Sequence, residues 1–91
     1  GMWGHADLGV QLTYRKRGGG HDETFYAMGD PSRLDEHVPS LHDTLLPVGL
    51  FISYEDGWEA VKEFIATDGE RPKSITWIEE EALPAGTFPA P

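Results

Sequence analysis

The chain has no cysteine, no long hydrophobic run and few basic side chains. Without cysteine there is no disulfide framework, no thiolate zinc site and no thiol nucleophile, and nothing demands an oxidising compartment. The densest apolar stretch, Leu45 to Ile52, is eight residues long and holds Pro47 and Gly49. A membrane-spanning helix needs roughly 20 apolar residues, so no membrane partner is expected. Met2-Trp3-Gly4-His5-Ala6-Asp7 lacks both the basic start and the apolar stretch of a secretory signal, and cytoplasmic residence is the default expectation. Gly1 before Met2 looks like a residue left by tag cleavage.

Seven Lys+Arg face 16 Asp+Glu, a formal charge of −9 over 91 residues. Residues 1–17 hold Arg15, Lys16 and Arg17 against Asp7 alone, so the rest of the chain is more acidic than the whole. Such a surface repels a phosphate backbone; direct nucleic-acid binding is not expected, and a basic partner fits better. Solubility alone also accounts for acidity of this kind. The length allows one modest core and excludes a two-domain enzyme. The expected division is a short N-terminal segment at 1–7, a single domain over 8–79 and a proline-rich tail over 80–91.

Leu8, Val10, Leu12 and Tyr14 alternate with smaller or polar residues, the pattern of a half-buried strand. A segment rich in strand formers, Asp22 to Met28, follows Gly18-Gly19-Gly20, so the two should form a hairpin with a loop longer than the tight two-residue type. Between 29 and 49 prolines and glycines break the chain, and another extended piece is expected near 34–42. Ser53 followed by Glu55 and Asp56 is a helix start, with a capping hydroxyl and acids in the first turn. The helix should run to about Thr67, where Gly69 stops it and Pro72 lies just beyond.

On that helix Tyr54, Trp58, Val61, Phe64 and Ile65 recur at intervals of three and four. The stripe is expected to be buried, each large apolar side chain contributing roughly 1.5 to 3 kcal/mol if fully removed from water. Gly57 opposes the helix by about 1 kcal/mol. Lys73 to Glu79, dense in β-branched and aromatic residues, reads as a final strand. The fold class is therefore α+β, a three- to four-stranded antiparallel sheet packed on one amphipathic helix.

His21-Asp22 and His42-Asp43, with His37 five residues before His42, have no recognisable ligand spacing. No metal site and no cofactor are expected. The triple glycine precedes a strand, not the helix that a phosphate cradle requires, although Arg15, Lys16 and Arg17 could hold an anion. No Gly-x-Ser-x-Gly elbow exists. Glu55, Glu59 and Glu63, spaced by four and joined by Asp56, line a helix side away from the apolar stripe. Like charges at that spacing repel. Either this is an ordinary solvated face, or the row meets a basic surface together with Glu79, Glu80 and Glu81.

Leu46-Pro47-Val48-Gly49-Leu50-Phe51-Ile52-Ser53, the helix Trp58 to Ile65, Gly69-Glu70-Arg71-Pro72 and Ile75-Thr76-Trp77 resemble the Imm1 family of bacterial immunity proteins. In that family a Pro-Gly turn leads into a helix of the Ala-Val-Arg-Glu-Phe-Leu type, followed by a Gly-x-Arg-Pro turn and a strand ending near a tryptophan. The similarity extends over residues 8 to 79, with its specific part in the second half. Family members run longer at the amino end, so the resemblance implies a shortened member. It also implies binding without catalysis: a protein that blocks a cognate toxin, of a class including nucleases and deaminases, whose clefts are basic. An acidic surface built from Glu55, Asp56, Glu59, Glu63, Glu79, Glu80 and Glu81 would meet it. The rival readings are a module that pairs with a second copy of itself through a sheet edge, and a small metal-dependent enzyme using His21, Asp22 or His42.

Overall fold

A computed structural model describes residues 2–18, 20–39, 45–84 and 86–88. Strands β1 (Met2–His5), β2 (Gly9–Gly18), β3 (His21–Ala27), β4 (His37–Pro39), β5 (Leu45–Pro47) and β6 (Phe51–Ile52) precede helix α1 (Tyr54–Ala66) and strand β7 (Trp77–Glu79). The main sheet has five strands in the order β1-β2-β3-β7, with β6 also on β2. All its pairs are antiparallel. β4 and β5 form a separate two-stranded ladder. The α+β class is as expected. The sheet is wider than expected because very short segments, β1 and β6, complete it on the β2 side.

β2 is the spine. Its apolar alternation puts Val10 and Leu12 into the core, and the ladder with β3 continues through Arg15↔Thr24, Lys16↔Glu23 and Arg17↔Asp22 to Gly18↔His21. The hairpin is therefore tighter than expected. The three cations lie on a strand, opposite acids and a threonine, and not on a loop tip. At the other end Gly9 takes φ +107°, and a Cβ there would meet the Ile52 carbonyl oxygen at 2.0 Å. Only glycine lets β6 approach so closely.

The core comprises Val10, Leu12, Phe25, Ala27, Val48, Leu50, Phe51, Ile52 and Ala60 among the described residues. The segment after β3 is tied to the Val48–Leu50 turn, where the Gly49 carbonyl accepts from the backbone N–H groups of Gly29 and Asp30, both at 2.9 Å. The piece expected near 34–42 appears as β4; residues 40–42, like His42, Asp43 and Gly19, lie outside the described residues. The final strand is shorter than expected, beginning at Trp77, although Ile75 still packs against the core.

Segments on either side of residues 8–79 also make contacts. β1 pairs with β2 from Met2↔Leu12 to His5↔Gly9. Beyond β7, Glu80–Ala82 makes a 3-10 turn, Thr87 is buried, and its carbonyl lies 2.9 Å from His37 Nε2. The Phe88 ring centroid is 5.0 Å from that of Tyr26.

Candidate functional site

Helix α1 begins where the sequence signals it. Ser53 caps it, its Oγ accepting from the Asp56 backbone N–H at 3.1 Å, with Glu55 and Asp56 in the first turn, where the dipole favours them. It ends at Ala66 with Thr67 as its cap, two residues short of the expected stop at Gly69. Asp68, φ +57°, and Gly69, φ +98°, follow in left-handed conformations, and the Gly69 N–H donates to the Phe64 carbonyl. The Tyr14 hydroxyl donates to the Gly69 carbonyl at 3.1 Å, tying the helix end to β2. The turn that follows is built from the residues of the Gly-x-Arg-Pro motif. Arg71 lies 4.2 Å over the Phe25 ring, and the Pro72 carbonyl accepts from Trp77 Nε1 at 2.7 Å.

The face that α1 buries is not the face its apolar stripe selects. Gly57 and Ala60 face the sheet; Ala60 is 1% exposed, and a Cβ at Gly57 would lie 2.4 Å from Val10 Cγ1. Gly57 is thus a point of close approach, and its lost helix propensity is offset by contact with β2. The expectation of a buried stripe is corrected: Tyr54 is 54% exposed, Trp58 59%, Phe64 43% and Ile65 70%, with Val61 half-buried. At 3.6 residues per turn, the centre of the stripe points about a quarter turn away from the Gly57–Ala60 contact. Small side chains bring the helix axis closer to the sheet than bulky ones could. The large residues are left to one side, and the expected burial energy of the stripe is realised only in part within the chain, through half-buried Val61 and the contact of Phe64 with Tyr14.

This placement leaves two open apolar grooves along the seam between helix and sheet, one beside each half of the helix and both lined by Val61. One, about 290 Å³, is lined by Leu12, Tyr14, Val61, Phe64, Pro72 and Trp77. The other, about 220 Å³, is lined by Val10, Tyr54, Gly57, Trp58 and Val61, with Gly4 of β1. Sequence periodicity found the helix residues among these, Tyr54, Trp58, Val61 and Phe64, but assigned them to the core. The missed signal is the Gly57/Ala60 pair, spaced by three, which marks a close-packing face in competition with the bulky one.

The seven acids proposed from the sequence divide into groups. Glu55, Asp56 and Glu59 are exposed on α1. Glu59 pairs with Lys62 at 2.7 Å, and the Lys62 ammonium also lies 6.0 Å from the Trp58 ring centroid. Glu63 is engaged differently. The backbone N–H groups of Lys73 and Ser74 donate to its two carboxylate oxygens. These bonds, led by that from Lys73, hold the carboxyl below its usual range. Glu63 thus latches the turn before β7 onto the helix.

Glu79, Glu80 and Glu81 line a shallow concavity of about 80 Å³ with Asp22, Glu23 and Thr24. The sheet brings the end of β7 beside β3, a juxtaposition that spacing along the chain does not reveal. Glu80 accepts from the Tyr26 hydroxyl at 2.8 Å. Burial, followed by this bond and the Glu80 charge, pushes the tyrosine up to about 12.

No group of three or more His, Asp or Glu among the described residues is placed to hold a metal ion. His5 Nδ1 accepts from the Asp7 backbone N–H at 3.2 Å. No helix among the described residues is long and apolar enough to cross a membrane.

The protein family described as Immunity protein Imm1 matches residues 6–79, most of the chain. No curated protein and no solved structure matches it.

Proposed function

Because the chain belongs to the Imm1 immunity protein family, whose members act against toxins, we propose that it neutralises a cognate toxin in the cytoplasm by occupying its basic cleft, without catalysis. The family match carries this reading. Charge supports its chemistry: a body of formal charge −9 is attracted to the cationic cleft that a nuclease or deaminase uses to hold phosphates. Exposed Glu55, Asp56 and Glu59 form one acidic patch, and Glu79, Glu80 and Glu81 with Asp22 form another. Glu63 contributes through the scaffold, since its carboxylate holds a turn.

Co-expression with the product of the gene immediately upstream, as the candidate toxin, tests the reading. Cells should survive with the wild-type chain and lose protection with the double variant Glu55→Lys/Glu59→Lys, or with Glu79→Lys/Glu81→Lys if the second patch is used. Failure of the wild-type chain to protect, or full protection by both double variants, would overturn it. A second reading draws on the sheet: β1 and β7 stand at the ends of the strand order, so an edge is available for pairing with another copy. A concentration series in light scattering separates the two, because an inhibitor acting alone keeps the mass of one chain.

A further inference from the structure

The exposed stripe of α1 has a composition that solvent-facing helix surfaces seldom carry. Tyr54, Trp58, Phe64 and Ile65 are each 43% exposed or more; Phe64 lines a groove of about 290 Å³, and Tyr54 and Trp58 line one of about 220 Å³. Contiguous apolar surface of this kind marks an interaction site, and tyrosine and tryptophan are the side chains that most often dominate such contacts. The geometry points to the Tyr54–Trp58–Ile65 face, with its two grooves, as the anchor that docks an amphipathic cationic segment of the cognate toxin.

Charge selects this occupant over a second copy. Glu55, Asp56 and Glu59 are exposed on the same helix, Glu59 reaching the stripe through Lys62, which lies beside Trp58, and the whole chain carries −9. Two such chains meeting face to face would bring like potentials together. A segment with apolar side chains for the grooves and Lys or Arg on its flanks meets both features at once. The acids then govern the encounter, while Trp58 and its neighbours set how long the complex lasts. Lys62 is placed to adapt: bonded to Glu59 and lying beside Trp58, it can move aside as an incoming cation takes its place on that acid. This inference rests on the immunity reading and specifies the face and the chemistry of its partner.

The test is binding of the full chain to the purified product of the gene immediately upstream, as the candidate toxin, followed kinetically at low and high salt. Trp58→Ala should weaken binding about 30-fold or more, mainly through faster dissociation, and the loss should persist in high salt. Ile65→Ser should weaken it in the same manner. Glu55→Lys/Glu59→Lys should instead slow association, an effect that fades with salt. Since Trp58 and Ile65 lie outside the core, unchanged melting curves should accompany both stripe losses. Stripe variants that bind within about twofold of a wild-type chain that does bind would overturn the docking face while leaving the immunity reading intact. Absence of wild-type binding would overturn both. A doubled mass in light scattering that Trp58→Ala reduces to a single chain would assign the face to a second copy and overturn the choice of occupant.

Discussion

The two sides of helix α1 pair size with burial in the reverse of the usual sense. Gly57 and Ala60 are buried against β2, while Trp58 and Ile65, close to them in sequence, stand largely in solvent. Had the bulky side been turned inward, the helix would have sat farther from the sheet and the core would have been larger. The arrangement instead keeps the helix close, held at its start by the Tyr54 hydroxyl, which donates to the His5 carbonyl of β1 at 3.0 Å, and near its end by Tyr14 on the Gly69 carbonyl and by the Glu63 latch. Close packing of small residues supplies position, and Trp58 and Ile65 are left largely exposed, 59% and 70%.

The largest effect is expected on the buried side. Overpacking costs roughly 1 to 3 kcal/mol and outweighs the gain of about 1 kcal/mol from replacing glycine by alanine in a helix, because the added Cβ would press on Val10. Gly57→Ala should lose about 1 kcal/mol in denaturant unfolding, and Gly57→Leu about 3 kcal/mol or more. A stabilised Gly57→Ala would break the comparison, since it would place Val10 farther from the helix.

A smaller effect concerns the latch. The Glu63 carboxyl is held below its ordinary value near 4.5. Its stabilisation is therefore present above that pH and is lost as pH falls through the lowered folded value. Glu63→Gln should melt at a lower temperature at neutral pH than the wild-type chain, and the gap should close on acidification below about 4.5. A gap of constant size would mean that the ionised carboxylate contributes nothing beyond its shape.

The hairpin and the helix were legible in the sequence because their signals are local. Val10 and Leu12 alternate along β2; Ser53 caps the start of α1, and the left-handed turn after its end includes Gly69. The orientation of the helix was not, because its sequence offers two competing faces. Periodicity favours the bulky one, while the choice is made by how near β2 can come, a fact of tertiary packing. β1 and β6 escaped for a different reason. Met2-Trp3-Gly4-His5 and Phe51-Ile52 are too short to show a period, and they become strands only where β2 supplies hydrogen-bonding partners.

The acids were legible as a residue class and not as places in the fold. Glu55, Glu59 and Glu63 follow one helical spacing, but only the fold takes Glu63 away to Lys73 and Ser74. Only the fold, too, puts Glu79 to Glu81 beside Asp22 and Glu23.

The most direct test is the environment of Trp58 in the intact chain, read by fluorine NMR of protein labelled with fluorotryptophan, with its resonance assigned through Trp58→Phe. The expected result is a solvent-exposed signal in the free protein, sensitive to exchange of water for heavy water, that becomes shielded at one equivalent of toxin. A signal already shielded in the free chain and unchanged by toxin would contradict an outward-facing anchor.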